Sequence, residues 1–147
     1  MAVNIKVSSK LRLRVVTPTK TAFDEEVDMV VLSTVDGEIG VLIGHEPLTT
    51  LLGFGVMKIY NDETVKPIAI FGGFAEINTE GATIVADIAE HPKEIDAERA
   101  RQAKERAEAR LSSRDADLDI QRAQVALRKS LVRLELSGIP LTSAKKH

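Results

Sequence analysis

The run Ile84-Val85-Ala86-Asp87-Ile88-Ala89-Glu90-His91-Pro92-Lys93-Glu94-Ile95-Asp96-Ala97-Glu98-Arg99-Ala100-Arg101-Gln102-Ala103 changes character halfway through. Before Pro92 it is β-branched and apolar, in short pieces. After Asp96 it is a series of strong helix formers. The whole chain divides at the same place. Eight of its nine glycines and all five Phe and Tyr residues precede position 82, and residues 82–137 contain neither type. The first part reads as strands and turns, and the second as helix without bulky core residues. The fold class is therefore α+β, an antiparallel β-sandwich over 1–90 followed by a two-helix antiparallel hairpin over 91–138, with a tail over 139–147.

Outward from the seam toward the N-terminus, Leu11-Arg12-Leu13-Arg14-Val15 alternates apolar and charged with period two, as a strand does when one face is in a core and the other in water. Thr17-Pro18-Thr19-Lys20 turns the chain, and Val27-Asp28-Met29-Val30-Val31-Leu32 is a second strand. Glycine punctuates a third region over 37–44. Residues 55–60, 65–71, 74–77 and 82–88 are further strands, with turns at Asn61-Asp62 and Asn78-Thr79-Glu80-Gly81. Pro67 places its strand at an edge or a bulge, because proline offers no amide to a neighbour. Short strands with frequent turn signals and no helix between them point to a sandwich.

Toward the C-terminus, Asp96 is the expected N-cap of the first helix. Ala100, Ala103, Ala107 and Leu111 recur at helical spacing as a narrow stripe. Ser112-Ser113-Arg114-Asp115 is expected to supply a turn and the next cap. A second helix from about Asp117 to Leu136 carries Ile120, Ala123, Leu127, Leu131 and Leu134 as its apolar face and ends at Gly138, with Pro140 beyond. Small residues permit close approach but bury little area, so such a pair needs an external partner.

Charge divides with the fold. Residues 1–90 carry 7 Lys and Arg against 13 Asp and Glu, whereas 91–147 carry 13 against 9. The acidic part is no polyanion binder, and the basic part suits an acidic protein surface or a nucleotide. The chain has no cysteine, which excludes disulfides and thiolate metal sites and fits a reducing compartment. No apolar run approaches the ~20 residues that span a bilayer, and 1–10 lack the apolar stretch of a signal peptide. A soluble protein on the cytoplasmic side is expected.

Nothing in the chain argues for catalysis. His45, His91 and His147 match no metal-ligand spacing, and there is no phosphate loop, nucleophile elbow or dinucleotide fingerprint. Glu25-Glu26 reads as solvated charge in a surface turn. One constellation is sharper. Arg99 and Arg106 lie along one side of the first helix, and Lys129 and Arg133 on the second. An antiparallel fold-back brings Arg99, Lys129 and Arg133 to the same open end. Either Glu94, Glu98 and Glu135 neutralise them, or an anion such as a nucleotide phosphate sits between the helices.

Two segments carry a family resemblance. Gly37-Glu38-Ile39-Gly40-Val41-Leu42-Ile43-Gly44-His45-Glu46-Pro47-Leu48 resembles the G-x-L/I-G-I/V-L-P-G-H-x-P-L signature of the ε subunit of bacterial F-type ATP synthases. Ile68-Ala69-Ile70-Phe71-Gly72-Gly73-Phe74-Ala75-Glu76-Ile77 is similar to that family's second hallmark, a strand ending in G-G-F/I-x-E-V. Ile43 stands where the family has proline, which loosens the turn but removes no functional group. The resemblance implies a non-catalytic subunit of the rotor stalk. Its sandwich would pack on the γ subunit and rest on the c-subunit ring, with Glu38, Gly44, His45 and Glu46 as ring contacts.

The same resemblance implies mobile helices, folded down on the sandwich when hydrolysis is permitted and extended along γ when it is inhibited. Extended, Arg122, Arg128, Lys129 and Arg133 would meet the β subunit, with α also near. About 40 helical residues laid end to end reach about 60 Å, enough to enter the catalytic head. Some bacterial members bind ATP on the folded hairpin through I/L-D-x-x-R-A, present here as Ile95-Asp96-Ala97-Glu98-Arg99-Ala100. That site would comprise Glu90, Asp96, Arg99, Arg106 and Arg133, with Lys129 replacing a family arginine and losing its planar fork. No cofactor is required; ATP would be a regulatory ligand. No nucleic acid is implied, and the membrane would be met only through the complex, peripherally, at the cytoplasmic side of the inner membrane. The alternative is a stand-alone nucleotide-binding sensor, which co-purification with γ distinguishes.

Overall fold

The computed structural model describes residues 9–113 and 117–138. Ten strands form two five-stranded sheets. They are β1 (Leu11–Val16), β2 (Thr21–Val27), β3 (Met29–Thr34), β4 (Gly37–Val41), β5 (Leu48–Leu51), β6 (Phe54–Asn61), β7 (Thr64–Phe71), β8 (Gly73–Ile77), β9 (Gly81–Ala86) and β10 (Ala89–Glu90). A short 3-10 turn, Pro92–Glu94, leads into α1 (Ala97–Ser112) and then α2 (Ile120–Ser137). One sheet has the order β2-β1-β9-β8-β5 and the other β10-β7-β6-β3-β4. Every pairing is antiparallel except β1 with β9, which is parallel.

The period-two reading of β1 holds residue by residue. Leu11, Leu13 and Val15 are wholly buried, and Arg12 and Arg14 face out, both toward Asp24 of β2. These three meet Val27, Val30, Val41, Ile59, Ile68 and Ile84 in the main core between the sheets. Gly72 and Gly73 turn the chain from β7 in one sheet to β8 in the other, at φ of +78° and +115°. A Cβ on Gly73 would stand 2.0 Å from the carbonyl oxygen of Val85, so side-chain bulk is excluded there. Pro67 is tolerated because β10 pairs only with Ala69 and Ile70, which leaves β7 an open edge at that point.

Several sequence expectations are corrected. Glu25 and Glu26 lie on β2, not in a turn. Three consecutive acidic residues mask its alternation, and as an edge strand it can expose them. β5, a four-residue edge strand, carried no signal. The cap of the second helix is Asp119, which accepts from the Arg122 amide at 3.0 Å, so α2 starts at Ile120; Asp115 lies outside the described residues. Asp96 caps α1 as expected, accepting from the Arg99 amide at 3.1 Å.

The apolar face of α2 also differs. Ala123 and Ser130 are buried along with Ala100 and Ala107 of α1, but Ile120 and Leu131 are exposed. The other buried residues are Val132 and Leu136, which join Val56, Ala69 and Phe71 in a second core, flanked by Phe54, Ile88 and Ile95. α2 therefore has two partners rather than one. Its i, i+4, i+8 row of Arg128, Val132 and Leu136 lies toward β6 and β7, so the sandwich supplies the bulk that the hairpin lacks.

Candidate functional site

The link between sandwich and hairpin is pinned at several points. Glu94 accepts from the His91 amide at 2.7 Å and from Lys20 Nζ at 2.8 Å. The Lys20 hydrogen bond first, and the His91 amide second, hold the Glu94 carboxyl below the usual carboxylate range. His91 Nε2 donates to the carbonyl oxygen of Ala22 at 2.9 Å. Lys20 and Ala22 are distant in sequence, and nothing in the spacing could have found them.

Beyond this link a polar cleft of about 320 Å³ opens between sandwich and hairpin, with Glu90, Asp96, Arg99, Arg106 and Arg133 among its walls. Glu90 comes from β10, Asp96 from the cap of α1, Arg99 and Arg106 from α1, and Arg133 from α2. Lys129, expected with them, does not line the cleft. Arg133 grips Glu90 with both arms of its fork, Nε to Oε1 at 2.8 Å and a terminal nitrogen to Oε2 at 2.9 Å. Its guanidinium carbon stands 4.9 Å from the centre of the Phe71 ring. The hydrogen bond to Glu90 raises the Arg133 pKa further.

Of the carboxylates expected to neutralise the cations, Glu94 is taken by Lys20 and Glu98 by Arg101, and Glu135 makes no ion pair within the described residues. Glu90 is the one that meets Arg133. No ion pair or hydrogen bond within the described residues holds the guanidinium group of Arg99 or Arg106. The cleft also carries the carboxylates Glu90, Glu94 and Asp96, but two guanidinium groups that face it and form no ion pair remain able to accept an anion.

Arg122, Arg128, Lys129 and Arg133 are not one patch in this conformation. Arg122 is exposed in the first turn of α2. Arg128 lies over the Phe54 ring at 4.7 Å, and Arg133 is held as described. Lys129 is half-buried. The aromatic partners went unnoticed in the sequence because they sit more than sixty residues away.

Elsewhere on the sandwich, Glu38 is exposed on β4 opposite Ser33. Gly44 has φ of +85° and donates to the Thr79 carbonyl at 2.8 Å, tying the turn to the β8–β9 connection. His45 Nδ1 donates to the Glu46 carbonyl oxygen at 2.7 Å. Apolar side chains are exposed in two places: Leu42 and Ile43 beside that turn, and, at the other end of β4 and β5, Leu51 paired with Phe74 together with Val35, whose amide donates to the Leu51 carbonyl at 3.0 Å. Leu51 and Val35 are 62% and 60% exposed, unusual for apolar side chains that lie side by side.

Comparison with known proteins covers both parts of the chain. Residues 10–92 match the model of the ATP synthase delta/epsilon chain β-sandwich domain, and residues 93–138 that of its long α-helix domain. The ATP synthase epsilon chain of Desulforamulus reducens is 42% identical over 124 residues, 84% of this chain and 94% of that protein. The epsilon chain of Halalkalibacterium halodurans is 43% identical over 129 residues, 87% and 97% respectively. A chain in the cryo-EM structure of the Euglena gracilis mitochondrial ATP synthase, comprising OSCP, F1 and c-ring, superimposes with a TM-score of 0.77 at 29% identity, covering 90% of this chain and 84% of that one. Sandwich, hairpin and sequence agree along nearly all of the described residues, and the chain belongs to the delta/epsilon chain family of ATP synthases.

Proposed function

We propose that the chain is a non-catalytic subunit of the central stalk of an F-type ATP synthase, joining γ to the c ring and restraining ATP hydrolysis through its helices. The family membership supports the stalk assignment. Two uncovered apolar groups, Val35 with Leu51 and Phe74 near Glu38, and Leu42 with Ile43 beside the Gly44-His45-Glu46 turn, suit protein partners on the sandwich. γ would take the apolar part and the c ring the turn. No helix among the described residues is long and apolar enough to cross a membrane, in keeping with attachment through the complex. The complex would lie at the cytoplasmic side of the inner membrane.

The observation that carries the regulatory reading is the cleft. The Arg99 and Arg106 side chains on α1, unpaired among the described residues, line it together with Glu90 of the sandwich and Arg133 of α2. An anion bound there touches sandwich and both helices at once, so it stabilises only the folded-down arrangement. ATP is the ligand: its phosphates suit the two free guanidinium groups, and its binding shifts the hairpin toward the docked state in proportion to its preference for that state. Asp96 acts by fixing the start of α1 rather than by meeting phosphate. Calorimetric titration with ATP tests this. The wild type should bind, and Arg99→Ala should weaken binding at least tenfold; absence of heat with the wild type would dismiss the nucleotide site and leave the stalk assignment standing.

A further inference from the structure

Two phenylalanines at the foot of α2 stand at right angles, Phe54 and Phe71, with ring centres 5.6 Å apart and an interplanar angle of 89°. Each carries an arginine of α2. Arg133 lies against Phe71 and is also gripped by Glu90, but Arg128 has only the Phe54 ring, at 4.7 Å. No carboxylate pairs with Arg128 among the described residues. Neither Phe54 nor Arg128 lines the polar cleft, so their contact is separate from the place where an anion would bind.

The row Arg128, Val132 and Leu136 carries α2's contact with the sandwich. Its aliphatic part is confined to Val132 and Leu136, and Arg128 is the first residue of the row, at the end toward the start of α2. Lifting α2 from that end separates the guanidinium from the ring before it uncovers Leu136. A guanidinium over an aromatic face is attracted by the negative face of the ring and stacks flat on it, which an ammonium does less well.

We infer that Phe54 and Arg128 form a ligand-independent latch that holds α2 on the sandwich, with Arg128 as a positioning residue for the docked hairpin. The inference rests on the reading that the hairpin leaves the sandwich in part of its cycle. It adds a restraint that acts when the cleft is empty. The latch sets the docked population that a ligand then increases, and a chain without it would need more ligand to reach the same docked fraction.

Amide hydrogen exchange of α2 in the full chain, without nucleotide, tests the latch directly, since it reads even rare openings. Phe54→Leu keeps an apolar side chain but removes the ring, and Arg128→Gln removes the charge. Each should speed exchange of the amides of residues 128–136 roughly two- to five-fold. The double variant should be no faster than Phe54→Leu alone, and Phe54→Tyr, which keeps the ring face, should match the wild type. Exchange in Phe54→Leu and Arg128→Gln equal to the wild type would overturn the latch, as would single effects that multiply in the double variant. Should Phe54→Leu disturb the sandwich, seen as faster exchange in β6 and β7, comparison of Arg128→Gln with Arg128→Lys decides, the lysine giving partial protection. These rates do not depend on ATP binding or on inhibition of the complex. Failure of the regulatory reading therefore leaves them unchanged.

Discussion

Glu90 and Arg133 show how much of this molecule's behaviour depends on single side chains at its joint. The pair is about three-quarters out of water, and its geometry is bidentate, so it is worth more than an ordinary surface ion pair. Glu90→Gln should destabilise hairpin docking by about 1–2 kcal/mol, because it leaves a half-buried guanidinium without its counter-charge. Adding Arg133→Gln should recover part of that loss. Helical unfolding followed by circular dichroism in a double-mutant cycle measures both. Glu94 introduces a pH dependence. Lys20 holds its folded pKa below the ordinary value of 4.5, so its contribution is complete above that value and is lost as pH falls through the lower folded one. Lys20→Met should therefore flatten the loss of stability in acid, as measured by urea unfolding between about pH 5 and 3. Gly73 has a different role. Gly73→Ala combines a positive φ with a contact to Val85 that no rotamer can relieve, and should cost at least about 2 kcal/mol in the sandwich transition.

α2 is the element on which sequence and structure part most instructively. Ile120, Leu127, Leu131 and Leu134 look like one stripe in sequence, yet Leu131 and Ile120 face water, while Val132 and Leu136 carry the weight against β6 and β7. A helix between two partners buries more than one row, and periodicity alone cannot rank the rows. Leu136→Ala should cost about 2–4 kcal/mol of docking, whereas Leu131→Ala should change stability by less than about 0.5 kcal/mol. Thermal melts followed at a helical wavelength separate the two. β1 was fully legible because Arg12 and Arg14 alternate cleanly with buried neighbours, and α1 was legible because Asp96 precedes strong helix formers. β2 and β5 were not, since an edge strand may expose both faces and so loses its alternation. Of the residues named from the family motif and charge spacing, Glu90, Asp96, Arg99, Arg106 and Arg133 line one cleft and Lys129 does not. Glu90 as the partner of Arg133, and Phe54 and Phe71 beneath the two arginines, depend on contacts across forty residues or more, which local pattern does not encode.

At the scale of the whole molecule, two cores of unequal size explain a division of labour. The main core is built entirely from residues up to Ala89, so the sandwich needs nothing from the hairpin. The second core needs both parts and is small. A chain ending at Glu90 should therefore keep a cooperative sandwich transition, while exposing Val56, Ala69 and Phe71. The hairpin, whose helices meet through Ala100, Ala107, Ala123 and Ser130, should not fold when made alone as residues 91–138. An arm held by a few contacts to a self-sufficient base can come away without disturbing that base. Whether that arm restrains hydrolysis is the decisive question. The most direct measurement is the ATPase rate of reconstituted α, β and γ with the full chain or with the chain ending at Glu90. Both should assemble, and the truncated chain should give the higher rate. Equal rates with full assembly of both would contradict the account.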